Sequence, residues 1–165
     1  MLKCHELIGF MPAQLAQEII QYLFTEQKEA YKAILAAVAE ALRVRPVFLQ
    51  RKPRVQRHAE MINVLSRPRM EEAAAALLRE WLLKAEKGML IDFLNDLGIE
   101  HEDGIVEEFP AEIDEVKLKQ AVENLLAKHA PEKVSVYLNT LRATSGVEWP
   151  VLDEMLANDP RLQIA

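Results

Sequence analysis

Eight of the chain's twenty Lys and Arg residues fall between Arg43 and Arg69, with Glu60 as the only acid among them. They are Arg43, Arg45, Arg51, Lys52, Arg54, Arg57, Arg67 and Arg69. This window carries +7, whereas the whole chain carries −6, so the other 138 residues sum to −13. Guanidinium groups at this density suit the bidentate binding of phosphate or carboxylate oxygens. Arg51, Lys52, Arg54, Arg57, Arg67 and Arg69 are therefore the candidate anion- or partner-binding residues. Nucleic-acid binding needs such a patch, because phosphate contacts supply most nonspecific affinity. Single-strand readers add exposed aromatic rings for stacking. Phe48 is the only Phe, Tyr or Trp in the window, and Val47-Phe48-Leu49 reads as a buried anchor. That pattern favours a solvated basic surface, or one paired with the chain's own acids.

Those acids are concentrated too. Glu100, Glu102, Asp103, Glu107, Glu108, Glu112, Asp114 and Glu115 crowd sixteen residues that hold no Lys or Arg. The alternating Asp/Asn spacing of a calcium loop with its closing Glu is absent, and a solvated turn is the expectation. His5, His58, His101 and His129 are dispersed, with no pair at the one-turn spacing of a zinc-binding helix. Cys4 is the single cysteine, which excludes an intrachain disulfide and a multi-cysteine zinc site. An inert thiol is expected there. The five glycines are isolated, so no phosphate-cradling loop exists, and the three serines form no nucleophile elbow. No catalytic residue, metal site or cofactor is expected from this sequence.

The elements that would position these groups are helical. Ala, Leu and Glu are abundant and Gly is scarce, a bias that favours helices. A chain of 165 residues is most simply one domain. A short helix over 1–9 is followed by one opening after Pro12, with Leu15, Ile19, Tyr22 and Leu23 at helical spacing. Thr25 is expected to cap the next helix, which carries Tyr31, Ile34, Leu35, Val38, Ala41 and Leu42 up to Pro46. Residues 43–52 read as an extended connector. Pro53 opens a helix expected to turn Val55, Ala59, Ile62 and Leu65 inward. A further helix over about 69–86 carries Met70, Ala74, Leu77, Leu78, Trp81 and Leu82. Gly88 reads as a turn. The following helix carries Leu90, Phe93, Leu94 and Leu97, and Gly98 closes it. Asp103-Gly104, flanked by 99–101 and 105–107, predicts a small β-hairpin. Asp114, Pro131 and Pro150 each open a later helix, and Gly146 stops the one that starts at Pro131.

The expected fold is all-α: one domain of seven to nine helices in consecutive antiparallel hairpins, as a bundle or short superhelical array, with that hairpin near 99–107. One self-match at an offset of 59 residues aligns Ile19, Tyr22 and Leu23 with Leu78, Trp81 and Leu82, and Ile34, Leu35 and Val38 with Phe93, Leu94 and Leu97. No run reaches the ~20 apolar residues of a membrane span, and residues 1–10 lack the long apolar core of a signal peptide. A cytoplasmic, non-membrane protein is the expectation. The functional expectation is a non-enzymatic helical scaffold that docks a protein partner. The alternative is a nucleic-acid-binding module using residues 43–69. A third class, an enzyme or sensor with a pocket among the helices, has no residues that argue for it.

Overall fold

The computed structural model describes residues 1–164, and every described element is helical. The chain forms two compact units, Lys3–Trp81 and Leu82–Ile164, with Met1–Leu2 grouped with the second. The N-terminal unit holds α1 (Cys4–Phe10), α2 (Ala13–Glu26), α3 (Lys28–Leu42), α4 (Pro46–Gln50), α5 (Arg54–Leu65) and a 3₁₀ turn at Pro68–Met70. Helix α6 (Glu71–Ala85) contains the division between the units. The C-terminal unit continues with α7 (Lys87–Leu97), α8 (Glu115–Lys128), α9 (Pro131–Ser145), α10 (Pro150–Asn158) and a 3₁₀ turn at Pro160–Leu162. Among the described residues no helix is long and apolar enough to cross a membrane.

In the N-terminal unit α5 packs on α1, α2, α3 and α4, and α2 packs on α3. Leu7, Ile19, Leu23, Leu35, Val38, Leu49, Met61 and Leu65 fill the space between them. Helix α1 is seven residues long, too short to be stable alone. Its start is held by Glu71, whose carboxylate accepts from the backbone N–H of Cys4 at 3.0 Å and of His5 at 2.9 Å. The His5 ring adds a third contact at 2.7 Å. Burial alone would raise the Glu71 pKa, but these donors outweigh it and hold the carboxyl below its usual value.

In the C-terminal unit α7 packs on α8, α8 on α9, and α10 on both α8 and α9. Helix α9 is buried on all sides from Val134 to Leu141. Two of its polar residues are bonded internally: Ser135 Oγ donates to the Leu162 carbonyl at 2.5 Å, and Asn139 Nδ2 to the Ser135 carbonyl at 2.9 Å, whereas the Thr140 hydroxyl has no partner among the described residues. Trp149 is also buried, with Nε1 donating to the Pro110 carbonyl at 3.0 Å. Asp114 caps α8 by accepting from Val116 and Lys117 N–H, as its place in the sequence predicts.

The all-α expectation holds, but the described residues form ten α-helices rather than seven to nine, and five local corrections follow. The connector 43–52 is not extended. Arg43 takes a left-handed conformation (φ 57°) that closes α3, and Pro46 then starts α4 from the first-turn position that tolerates it. Thr25 does not cap α3. Its hydroxyl donates back to the Gln21 carbonyl at 3.0 Å, inside α2. Gly88 lies inside α7, and the break falls at Glu86 instead. Helix α5 is rotated from the expected phase: Val55 is 70% exposed, while Arg57, His58, Met61, Val64 and Leu65 face inward.

The β-hairpin is absent as a strand pair. Asp103 and Gly104 do form the tight turn, with φ of 53° and 89°. Glu102 and Ile105 exchange both backbone hydrogen bonds, at 2.9 and 3.0 Å, as one isolated bridge. Extending that register would set Glu100 opposite Glu107, and like charges directly opposed destabilise a ladder. His101 also turns inward on the loop, with Nδ1 accepting from Gly104 N–H at 3.1 Å.

The 59-residue offset recurs in the helix joints. Gln27 is the only residue between α2 and α3, and Glu86 the only one between α6 and α7. Each second helix ends on a left-handed residue, Arg43 or Gly98, although α3 has 15 residues and α7 has 11.

Trp81 is 1% exposed, so Trp81→Ala is expected to cost about 3–5 kcal/mol in a urea unfolding titration. A loss below about 1 kcal/mol would show that Trp81 is not core. Gly98→Ala meets no atom within 4 Å of the added Cβ but must adopt φ +69°; that strain alone is expected to cost about 1 kcal/mol in the same assay.

Candidate functional site

The six candidate cations have different fates. Helix α5 is 12 residues long, so its two ends lie about 18 Å apart. Arg51, Lys52, Arg54 and Arg57 cluster at its start, and Arg67 and Arg69 lie past its end. The structure does not bring the six together. Lys52 forms an ion pair with Glu60, the only acid of the window. Arg69 Nη2 donates to the Ala41 carbonyl, in the last turn of α3, at 3.3 Å. Arg67 reaches the Asn63 side chain at 3.4 Å. Arg54 is exposed, with its guanidinium 5.4 Å from the Phe24 ring centroid. Arg51 is exposed, as are Arg43 and Arg45. Among the described residues no hydrogen bond or ion pair holds the side chains of these three.

Arg57 behaves differently from the other five. It is 9% exposed and no carboxylate pairs with it among the described residues. Its Nε donates to the Tyr31 hydroxyl at 2.8 Å, and Nη1 to the Gln50 carbonyl at 3.2 Å. The guanidinium lies 5.4 Å from the Phe24 centroid and 5.9 Å from that of Tyr31, within cation–π range. The Tyr31 hydroxyl also meets His58 Nε2 at 2.9 Å. With that oxygen accepting from Arg57, His58 Nε2 is the acceptor that satisfies the buried hydroxyl hydrogen, an assignment that places the imidazole proton on Nδ1. Burial, followed by the positive charges of Arg57 and Arg54, lowers the His58 pKa to about 4, so the ring is neutral at pH 7. Burial raises the Tyr31 pKa, against the pull of Arg57 and Arg54.

This network fixes what the surface displays. The Arg57 contact to Gln50 satisfies a carbonyl at the C-terminal end of α4, where helix carbonyls lack partners and cations are favoured. Leu49, 1% exposed, anchors the same turn in the core. With α4 held at these two points, Val47 is 42% exposed and Phe48 62% exposed. The expectation of a buried Val47-Phe48-Leu49 anchor is thus met by Leu49 alone. Val55, in the first turn of α5, adds a third exposed apolar side chain. Arg43 closes α3, Arg45 and Arg51 flank α4, and Arg54 opens α5. The result is a face with apolar groups and unpaired guanidinium groups together. Arg54 and Val55 also line, with His58 and with Gln14, Gln17, Glu18 and Gln21 of α2, a cleft of about 280 Å³.

The acidic run of the C-terminal unit lines an open groove of about 1040 Å³ that includes Glu100, Glu102, Asp103, Glu107 and Glu108. His101 spends both ring nitrogens locally, on Asn95 Oδ1 at 2.8 Å and on Gly104 N–H. Among the described residues no three His, Cys, Asp or Glu are placed to hold a metal ion. Burial, then the charge of Glu71 and a hydrogen bond to it, pushes the Cys4 thiol up to about 12, so it is no nucleophile at neutral pH. Sequence reasoning missed Tyr31, Phe24 and Gln50 as members of the network. The one available signal was Arg57-His58 at core-facing helical spacing from Met61 and Leu65.

The His58 pKa sets a pH dependence. The unfolded chain gains the imidazole proton near pH 6.5, while the folded chain resists it until about 4. Between these values the unfolded state binds more protons, so stability falls as pH falls through this window. A shift of this size corresponds to about 3 kcal/mol. In urea titrations from neutral pH down to about 4, the parent should lose up to about 3 kcal/mol more than His58→Gln, which carries no ionisable ring. Equal losses would show that His58 titrates alike in both states.

Comparison with known proteins assigns nothing further: no family model, curated protein or solved structure matches this chain.

Proposed function

We propose that this chain is a non-enzymatic helical interaction protein, and that the basic and apolar face of α4 and the first turn of α5 docks an acidic protein partner. The observation that carries this reading is the exposure of Phe48, Val47 and Val55 beside Arg43, Arg45, Arg51 and Arg54. Protein interfaces combine an apolar centre with a polar rim, and aromatic and Arg residues are their usual anchors. An amphipathic segment with acids flanking its apolar side would use all of these groups.

The alternative, nucleic acid, gains support from the same exposure of Phe48 next to unpaired guanidinium groups. Two of the three exposed apolar side chains are valines, however, and valine offers no π-face for a base. One ring stacks one base, whereas single-strand binders present several. The net charge of −6 also opposes the approach of a polyanion.

Fluorescence anisotropy separates the two readings. The probes are labelled single- and double-stranded oligonucleotides, and a helical peptide with Glu along one face and Leu along the other. At about 50 mM salt the peptide is expected to bind, and Phe48→Ala and Arg51→Ala should each weaken it by about five- to thirtyfold. Oligonucleotides should bind weakly. Tight oligonucleotide binding that falls steeply between about 50 and 200 mM salt, and is lost in Arg51→Ala/Arg54→Ala, would replace the protein reading with the nucleic-acid one. Binding of neither probe rejects both for this face.

A further inference from the structure

We propose that the partner of this face is a second copy of the same chain, docking through the acidic groove of its C-terminal unit; this rests on reading the face as a protein-docking surface. The argument is one of complementary composition. The groove places Glu100, Glu102, Asp103, Glu107 and Glu108 around Ile105, which is 58% exposed. All five carboxylate residues are exposed, and no Lys or Arg lines the groove, which also includes His101. Acidic side chains at this density would by themselves be only a solvated loop. What distinguishes the groove is the isoleucine held among them and the concave shape. Each copy thus carries one surface with an apolar centre and guanidinium rim and another with an apolar centre and carboxylate rim.

The two surfaces differ, so a contact between them joins face to groove and is heterologous. One such contact leaves a free groove on the first copy and a free face on the second; a reciprocal second contact between the same two copies closes a twofold dimer, and contacts to further copies build rings or open chains. Opposed charge sets speed and pairing more than affinity, so the association is salt-sensitive. The segregation of +7 in 43–69 from the acids of 100–115 acquires a use in this arrangement: it prevents either surface from meeting its like.

Sedimentation velocity on the full chain tests this. At about 50 mM salt the average mass should rise with concentration above the 18.8 kDa of one chain, and at about 500 mM it should fall back toward that value, because screening is then several times stronger. Arg45→Glu/Arg51→Glu should sediment as monomer, since two Glu among Arg43 and Arg54 cancel the charge of the face that must meet the acidic groove. Glu100→Lys/Glu107→Lys should do the same, since the groove's charge falls from −5 to −1 and no longer complements the face. An equimolar mixture of the two variants should associate again. All four positions are exposed, and circular dichroism checks that each variant keeps its helices. A parent that stays monomeric at low salt overturns the inference. So does association that the reversals leave intact, or that mixing fails to restore. If the parent is monomeric yet still binds the acidic amphipathic peptide through Phe48, self-docking alone fails and the protein-docking reading stands. If neither occurs, both fail.

Discussion

A guanidinium is expensive to bury without a carboxylate beside it, and Arg57 is buried without one. Its charge is met by a phenol oxygen, a helix-terminal carbonyl and the faces of two aromatic rings. Each contact draws a different element to α5: Phe24 from α2, Tyr31 from α3 and Gln50 from α4. His58 completes the set by accepting from Tyr31, and must stay neutral to do so. A protonated ring would lose that acceptor and place a second cation beside Arg57. Partly satisfied buried networks are costly, whereas satisfied ones fix geometry. The arrangement of the N-terminal unit around α5 is therefore most constrained at its most polar point.

That constraint also explains where the sequence misleads. Periodicity alone offers α5 two inward stripes. One runs through Val55, Ala59, Ile62 and Leu65, and the other through His58, Met61, Val64 and Leu65. The first looks more apolar, because the second includes Arg57 and His58. The second prevails because Met61 and Val64 fill more volume than Ala59, and because Tyr31 and Phe24 accept the polar pair. Nothing local to α5 reveals those partners, which lie 26 or more residues away in sequence. The stripes of α2, α3, α6, α7, α8 and α9 were legible because no buried charge competes with them. Helix ends were legible where a residue has a positional reason to be there: Pro at the starts of α9 and α10, Asp114 at that of α8, and Gly98 and Gly146 in the left-handed closing positions. The Glu71 cap on α1 left no sequence signal, because its partners are 66 and 67 residues distant.

The acidic loop shows a related conflict between local and wider preference. Asp103-Gly104 carries strong turn chemistry, and the turn forms. Strand pairing beyond it fails because the flanks are charged alike and because Ile99 is drawn into the core behind the Gly98 cap, as the hydrophobic contact of such caps usually is. A turn without strands leaves its flanks as open loop. The carboxylates consequently line a groove around Ile105 instead of alternating across a ribbon.

The exposure of Phe48 follows from the same kind of geometry. In an extended segment, Val47 and Leu49 would point one way and Phe48 the other. In a helix, successive side chains are about 100° apart, so three consecutive apolar residues cannot share one buried face. Once Arg43 closes α3 and Pro46 starts a new turn, only one of the three can be the anchor. Leu49 takes that place, next to the carbonyl that Arg57 holds. Phe48 and Val47 are then left outside by the helical repeat, in the stretch where Arg43, Arg45 and Arg51 have no ion-pair partner. The exposure of these apolar groups is thus a consequence of five residues being helical, with the buried Arg57 held to the last carbonyl of that short helix.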